Sequence, residues 1–301
     1  MKYRIEHVTR YEYGQEVLAS HHVARLTPLA NREQTPLHFD VRIDPRPVEI
    51  VSGRDYFGNE VLRFALQEPH EILEVTSDST VLVNGDGNGE SIVSPEWEKV
   101  RAEVKAATTP EALAAYEFAF ASPAIPVASE FAAYAERFFP EKRPFLEAVR
   151  ELTRQIHEDF AFDSTATTVS TPVGTVLRQK KGVCQDFAHF QIACLRSLGL
   201  PARYVSGYIR TEPPPGQPRL QGADATHAWV SVFCPGLGWT EFDPTNDVMP
   251  SDSHVRVAHG RDYGDISPLR GTVVGGGGQK LTIGVTMTPL DEKGIGVGTT
   301  H

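Results

Sequence analysis

The chain has 301 residues, of which 40% are hydrophobic and 23% are charged, and its formal net charge is −10. This length favours two domains, and the lack of an apolar run close to the roughly 20 residues of a membrane span predicts a globular protein that does not cross a membrane. The negative charge argues against nucleic acid or an anionic membrane surface as the main partner, because such contacts require clustered lysine and arginine.

The first ninety or so residues have the pattern of β-strands. Between residues 3 and 13, aromatic, aliphatic and small polar side chains alternate with mostly charged ones, which is typical of a half-buried strand. Strand-like runs follow at residues 37–43, 60–66 and 72–83, separated by turn-forming residues. Their even spacing predicts an antiparallel sandwich or small barrel, and we interpret the glycine-rich run at residues 84–89 as the hinge that ends it.

Residues 94–160 have a helical composition. Apolar residues spaced three and four apart, from Phe145 to Ile156, predict one helix with a single apolar face. The polar loop at residues 163–168 follows this helix. The sequence allows two interpretations of this loop, a surface connection and a segment that approaches the active site.

A further helix is predicted over residues 182–200, with Gly182 at a tight entry and a Gly-Leu-Pro run as its stop. Cys184 falls in the first turn, at the positive end of the helix macrodipole and beside unpaired backbone N–H groups. This position favours a thiolate and can bind a developing oxyanion. Asp186 lies in the same turn, where a carboxylate suits the dipole, and tuning of the local field is its alternative role. Cys194 lies on the apolar arc, so we interpret it as a small buried hydrophobic residue.

Three strands and one proline-rich loop are predicted next, in the order 203–209, 212–216 (the loop), 227–233 and 239–243. A Pro-Gly-Leu-Gly turn joins the last two strands into a hairpin. His227 and Asp243 lie near the open ends of that hairpin, so they can be neighbours across the strands.

Cys184, His227 and Asp243 have the types and the chain order of a nucleophile, a base and an orienting acid. A thiol attacks a carbonyl well only as thiolate, so it needs a base within reach and a group that holds this base in one tautomer. Taken singly, each of the three residues has an ordinary structural explanation in packing, in a strand or in a turn. Together, on a helix and on two strands of one hairpin, they predict a site for thiol-based acyl transfer.

The C-terminal part of the chain gives two further expectations. Residues 262–270 are predicted to form a loop held by structural hydrogen bonds, and a position beside the cleft is the alternative. The glycine run at residues 275–278 and the alternating residues after it predict a turn and a strand that closes the sheet of the catalytic region.

Cysteine usage and the start of the chain bear on compartment and cofactors. Three cysteines are an odd and sparse count, which fits a reducing compartment, and the first residues lack the apolar segment of a signal peptide. We therefore expect a cytoplasmic protein. The sequence contains no CxxC or HExxH pair, so we expect neither a metal nor another cofactor.

The three candidate residues lie in the segments GVCQDFAH (residues 182–189), HAWV (residues 227–230) and FDPTN (residues 242–246). These segments resemble the motifs of the transglutaminase-like superfamily, whose fold is that of papain-like cysteine enzymes. Residues 7–13 with 25–28, and residues 260–271, resemble the bacterial branch that has a β-rich N-terminal transglutaminase-like domain.

This resemblance implies an α+β fold. Its papain-like, transglutaminase-like core has a helix packed on an antiparallel sheet, and a β-rich sandwich or barrel-like domain precedes this core. We expect a boundary between residues 1–90, the β-rich domain, and residues 91–301, the helical segment with the catalytic core. By the resemblance, Cys184 is the nucleophile, His227 the general base and acid, and Asp243 the orienting acid.

The expected activity is thiol-dependent acyl transfer on the amide bonds of a peptide or protein, as a peptidase, an amidase or a transglutaminase-type enzyme. The resemblance does not select a substrate, because the superfamily includes all of these enzymes and inactive relatives. A catalytically silent module that binds a peptide or protein is therefore the alternative. Gln185, Trp229 and the loop around Thr168 are the candidates for a second oxyanion donor, and the sequence does not select one of them. It does not determine the oligomeric state either.

Overall fold

The computed structural model describes residues 1–84, 93–211 and 224–291. All but the first residue of the predicted hinge at 84–89, and the whole predicted loop at 212–216, lie outside the described residues. Within the described part, no helix is long and apolar enough to span a membrane.

Strands come first in the chain, helices follow, and both types are mixed in the C-terminal half. The strands are β1 (Lys2–Ala24), β2 (Gln34–Asp44), β3 (Glu49–Arg54), β4 (Glu60–Leu66), β5 (His70–Val83), β6 (Ala161–Phe162), β7 (Lys181–Gly182), β8 (Ala202–Ile209), β9 (Ala225–Cys234), β10 (Gly238–Phe242), β11 (His254–Gly260), β12 (Leu269–Gly275) and β13 (Gln279–Leu290). The helices are α1 (Trp97–Ala106), α2 (Pro110–Tyr116), α3 (Ser129–Ala135), α4 (Phe145–Asp159), α5 (Val173–Gln179), α6 (Cys184–Ser197) and α7 (Tyr263–Ile266). This order confirms the predicted α+β fold with a β-rich N-terminal region.

The first sheet is antiparallel and has seven strands in the described part of the chain, in the order β2–β5–β1–β4–β3, with β12 and β13 also paired to β1. The first half of the long strand β1 lies between β5 and β13, and its second half lies between β4 and β12. A register shift between Glu12 and Val17 separates the two halves, and such irregularities bend a strand. Tyr3, Ile5 and Tyr13 are buried on one face of β1, as their alternation predicts.

The C-terminal strands lie in the first sheet. The expectation that the tail closes the sheet of the catalytic region is wrong, because β12 and β13 pair with β1. Thr9 lies opposite Ile283, and Tyr11 lies opposite Leu281. Alternation in a strand records which face is buried, but it does not record the pairing partner. The first sheet therefore contains strands from both ends of the chain. The domain boundary near residue 90 stays a prediction.

The second sheet has four antiparallel strands in the order β10–β9–β8–β11. β9 and β10 form the predicted hairpin, with Gly238 opposite Cys234. Helix α6 packs against β8 and β9 and also contacts α3, α4 and α5. Its side chains Phe187, Phe190 and Leu195 are buried in the core that these elements share. The second sheet and its central helix thus form one layered unit.

The two sheets are joined by an apolar cluster and by paired polar groups. Tyr3 and Met287 of the first sheet and Val255 of the second belong to one buried cluster. The Gln34 side chain donates to the backbone carbonyl of Arg256 at 2.7 Å and accepts from the backbone N–H of Arg256 at 2.8 Å. These contacts fix the sheets relative to each other and so define the cleft between them.

Arg196 is a buried cation that holds several segments around α6, and its side chain is 1% exposed. Its guanidinium donates to the carbonyl oxygens of Phe118 at 2.9 Å, Ala202 at 2.8 Å and Arg261 at 2.7 Å. We expect Arg196→Met to lower the free energy of unfolding by about 3 kcal/mol or more, because each buried group left without its partner costs roughly 1–3 kcal/mol. Urea denaturation measures this change.

Arg154→Met is the matched control for this prediction. Arg154 is 45% exposed and pairs with Glu151 and Glu158 of its own helix. Surface ion pairs of this kind contribute about 0–1 kcal/mol, so the expected loss is small. Equal losses of stability for the two variants would contradict a structural role of the buried arginine.

Candidate active site

Cys184 is the first residue of α6, and a buried carboxylate holds the start of this helix. Asp186 accepts hydrogen bonds from the backbone N–H of Val183 at 2.8 Å and from the hydroxyl of Thr167 at 2.6 Å. A Cβ atom at Gly182 would lie 2.6 Å from Oδ2 and 2.8 Å from Cβ of Asp186, so this close approach requires glycine. Asp186 therefore has a structural role, since it caps the helix that carries the thiol.

The polar loop before α5 approaches this site. Thr167 bonds to the helix start, and Nε2 of Gln185 donates to the backbone carbonyl of Val169 at 3.2 Å. The backbone N–H of Thr168 donates to Oγ1 of Thr171 at 2.8 Å, so it is engaged within the loop. Of the two alternatives left open by the sequence, the approach to the site is the one observed.

His227 lies on β9, and Asp243 directly follows β10. Nε2 of His227 and Oδ2 of Asp243 are 2.7 Å apart, and both side chains are buried. The backbone of Asp243 pairs with Val248, which fixes the chain where it leaves the hairpin. Cys184 and His227 line the same cleft, and the thiol is close enough to contribute to the raised pKa of the His227 ring. The structure thus brings the three residues singled out in the sequence together at one site.

Asp243 stays ionised although it is fully buried. Oδ1 accepts from the backbone N–H groups of Thr245 at 2.9 Å and Asn246 at 3.3 Å. Oδ2 accepts from Nδ2 of Asn246 at 2.7 Å and Nε2 of His254 at 3.2 Å, in addition to His227. Burial alone would raise the pKa of Asp243, but the hydrogen bonds from His227, His254 and Asn246 hold it well below its usual range.

The bond to Asp243 fixes which nitrogen of His227 faces the thiol. Because Nε2 donates to the carboxylate, Nδ1 is the nitrogen left for Cys184. Burial opposes a charge on the ring, but the hydrogen bond with Asp243 and the nearby thiol of Cys184 together raise the pKa of His227 to about 10. The imidazolium is therefore the main form of His227 at neutral pH, and it places a cation in the cleft that Cys184 also lines.

Sequence reasoning missed two members of this group, Asn246 and His254. Asn246 lies three residues after Asp243, a spacing typical of turns stabilised by an aspartate side chain, and this signal could have found it. His254 has no comparable signal. It begins β11, which pairs with β8 through His254 and Ile209, so only the strand order of the sheet brings it to Asp243.

His227, Asp243 and His254 are also residue types that bind metals, and their ligand atoms lie within 4.8 Å of one another. Nitrogen-to-oxygen distances of 2.7 Å and 3.2 Å are those of direct N–H···O hydrogen bonds. These bonds account for the arrangement, and we therefore interpret the three residues as a hydrogen-bonded group.

Trp229, a candidate oxyanion donor in the sequence, is engaged elsewhere. Its indole N–H donates to Glu241 at 2.9 Å, and its ring stacks on that of His227 with the centroids 5.9 Å apart. Gln185 lines the cleft next to Cys184, but one of its amide protons is bonded to the neighbouring loop. Tyr204 lines the same cleft, and burial raises its pKa well above the usual value, so its phenol stays protonated and can donate a hydrogen bond.

A cleft of about 230 Å³ lies between the two sheets and contains Cys184 in its lining. The first sheet contributes Thr9 and Tyr11 from β1 and Leu281 and Ile283 from β13. These four side chains come from both ends of the sequence, and only the pairing of β13 with β1 places them together. The β-rich part of the chain therefore takes part in the candidate site.

The segment at residues 262–270 borders this cleft and is also held by hydrogen bonds. Tyr263 and Leu269 line the cleft. Asp262 accepts from the backbone N–H groups of Ala124 and Gly264, both at 2.9 Å. Both interpretations that the sequence left open are therefore correct, because the segment borders the cleft and is held by structural hydrogen bonds.

Cys194 and Cys234 are fully buried, whereas Cys184 is partly exposed. Burial raises the pKa of Cys194 far above its usual range and that of Cys234 to about 11. The interpretation of Cys194 as a small buried hydrophobic residue is confirmed. The two buried thiols provide internal references for the reactivity of Cys184.

Comparison with known families gives two matches along the chain. Residues 3–82 match the bacterial transglutaminase-like N-terminal region, and residues 132–244 match the transglutaminase-like superfamily. The second match contains Cys184, His227 and Asp243.

Three individual proteins illustrate the similarity. The chain is 41% identical over 279 residues to an uncharacterized protein of Mycobacterium tuberculosis strain H37Rv. The aligned region covers 90% of this chain and 87% of that protein. It is 35% identical over 102 residues to a protein-glutamine gamma-glutamyltransferase of Pseudomonas aeruginosa. This aligned region covers 33% of this chain and 15% of the transferase. The crystal structure of a presumed cysteine protease from Cytophaga hutchinsonii has a similar fold, with a TM-score of 0.72 at 20% identity over 98% of this chain and 93% of that one.

Proposed function

Because this chain belongs to the transglutaminase-like superfamily, we propose that it is a cysteine-dependent enzyme that transfers acyl groups from amide bonds. In this proposal Cys184 is the nucleophile, His227 is the general base and acid, and Asp243 orients His227. The observation that carries it is the arrangement in which His227 lies 2.7 Å from the fully buried Asp243 and lines one cleft together with Cys184 at the start of α6. A peptide or protein supplies the amide, and the cytoplasm is the proposed compartment, where free thiols stay reduced.

The first chemical step forms a thioester. The thiolate of Cys184 attacks the amide carbonyl carbon, and negative charge develops on the carbonyl oxygen. The backbone N–H groups of Cys184 and Gln185 precede the first bonds of α6, which begin with Asp186, and we assign them to receive this charge, with the phenol of Tyr204 as a candidate second donor. His227 then gives its proton to the leaving amine, and the carbon–nitrogen bond breaks.

The second step resolves the thioester. The neutral His227 takes a proton from an incoming water or amine, which attacks the thioester carbonyl and releases the Cys184 thiolate. Water gives hydrolysis, and an amine gives a new amide. Supplying a labelled primary amine together with a peptide substrate and recording the masses of the products distinguishes the two fates.

Selective alkylation tests the proposed nucleophile. Near neutral pH we expect iodoacetamide to modify Cys184 at least about ten times faster than Cys194 or Cys234, because a thiolate paired with an imidazolium is far more reactive than a buried thiol. Peptide mapping by mass spectrometry at several time points gives the three rates.

The same protein in concentrated urea is the control for this experiment. There the three thiols lose their environments, so their alkylation rates are expected to converge. If Cys184 reacts no faster than the two buried cysteines in the folded protein, the activated thiolate is absent and the proposed chemistry fails.

A further inference from the structure

We propose that the first sheet selects the substrate, through a subsite formed by Thr9, Tyr11, Leu281 and Ile283 that accepts an uncharged, apolar acyl group. The inference rests on the proposed function, because it places the carbonyl of that acyl group at Cys184. It assigns to β1 and β13 a role in specificity that is separate from the chemistry of the second sheet.

The strand register builds the subsite. Thr9 lies opposite Ile283 and Tyr11 lies opposite Leu281, so residues of alternate positions on two paired strands share one face. Leu281 and Ile283 are each 47% exposed and line the same cleft as Cys184. Covering such surface by an apolar group of the substrate is favourable by roughly 25 cal/mol per Å².

Charged residues of the same two strands pair away from this face. Arg10 donates to Glu12 at 3.1 Å and to Glu74 at 3.0 Å, and Lys280 lies 3.7 Å from Glu12. Arg10 and Glu12 alternate with Thr9 and Tyr11 along β1, so their side chains point to the other face. Among the described residues that line the cleft there is no lysine, arginine, aspartate or glutamate.

The charges that do border the cleft are already paired. His227 is bonded to the carboxylate of Asp243, and Cys184 lies in the same cleft lining. A lysine or glutamate side chain on the acyl group would therefore enter the cleft without a counter-ion. Transfer of an unpaired charge from water to such a site is strongly unfavourable.

The size of the cleft limits what it selects. Its volume of about 230 Å³ is below the roughly 300–1,000 Å³ of sites that enclose a drug-sized ligand. It therefore accommodates the part of the substrate next to the scissile bond. On the acyl side the first side-chain carbon is two bonds from the carbonyl carbon, whereas on the amine side it is three bonds away, so we assign the acyl group to the subsite.

Two variants that place opposite charges at position 283 test the proposal. With matched amides whose acyl residue is leucine, glutamine, lysine or glutamate, we expect the wild type to show a kcat/KM at least about tenfold lower for lysine and glutamate than for leucine. Ile283→Asp should raise the lysine-to-leucine ratio of kcat/KM by about tenfold or more, and Ile283→Lys should raise the glutamate-to-leucine ratio similarly. Ile50→Asp, at an equally exposed position on the edge strand β3, should leave both ratios unchanged.

Aldehydes that carry the same four acyl groups separate this proposal from the proposed function. The Cys184 thiol adds to the aldehyde carbonyl and gives a hemithioacetal, so the order of their inhibition constants reports the subsite without any leaving group. Equal inhibition by the leucine and lysine aldehydes, or an unchanged ratio in Ile283→Asp, would overturn the subsite while Cys184 remains the nucleophile. Absence of any aldehyde adduct at Cys184 would overturn both.

Discussion

Replacement of Cys184 by alanine is expected to remove amide turnover, with a fall in kcat of about 10⁴-fold or more, because the thioester cannot form without the thiol. The fold should be retained. Cys184 is partly exposed, and the start of its helix is held by Asp186 and Gly182 rather than by the sulfur. Turnover of a peptide amide and the urea unfolding curve of the same preparation measure the two effects separately.

Cys234→Ala is the matched control for this variant. Cys234 is equally a free thiol, but it is buried at the end of β9 and lies outside the lining of the cleft among the described residues. We expect its replacement to leave kcat within about twofold while it removes some packing energy. Turnover that survives in Cys184→Ala would exclude Cys184 as the nucleophile, whereas a cellular role that survives without turnover would favour the alternative of a binding module.

The parts of the fold that follow from the sequence are those with local signals. The alternation along residues 3–13 and the Gly-Leu-Pro stop of α6 depend on neighbouring residues. Helix α6 is found where it is expected, and the predicted strand forms the first half of β1, which continues to Ala24. The edge strand β3 was not predicted, because all its side chains except the glycine are exposed and its residues carry no alternation. The pairing of β12 and β13 with β1 could not be predicted, since it joins segments from opposite ends of the chain.

The candidate site divides in the same way. Cys184, His227 and Asp243 lie at a helix start and in one hairpin, so local patterns are sufficient to suggest their proximity. His254 reaches Asp243 only through the order of strands in the second sheet, and Ile283 reaches the cleft only through the tail of the first sheet. The proposed catalytic residues could therefore be suggested from local sequence patterns, whereas His254 and the proposed subsite residue Ile283 could not.

Asp243→Asn is expected to lower kcat by about 10³- to 10⁴-fold, an effect comparable to that of the same substitution in serine protease triads. The carboxylate accepts hydrogen bonds at both oxygens, with His227, His254 and Asn246 all donating to Oδ2. An amide has one accepting atom, so in either orientation its NH₂ group would face donors. His227 would then lose the partner that fixes Nε2–H, and with it the orientation of Nδ1 toward Cys184.

The pH profile of Asp243→Asn distinguishes this role from a general loss of structure. In the wild type, the imidazolium of His227 persists until the pH rises through about 10, so kcat/KM should fall on the alkaline side only there. Loss of the negative charge at position 243 lowers the pKa of His227, because the carboxylate no longer offsets the effect of burial on the charged ring. The alkaline limb of the kcat/KM profile should therefore move to lower pH. Asp252→Asn makes the same chemical change at an exposed position near His254 and should leave the limb in place. An unmoved alkaline limb in Asp243→Asn would show that His227 does not depend on this carboxylate for its protonation.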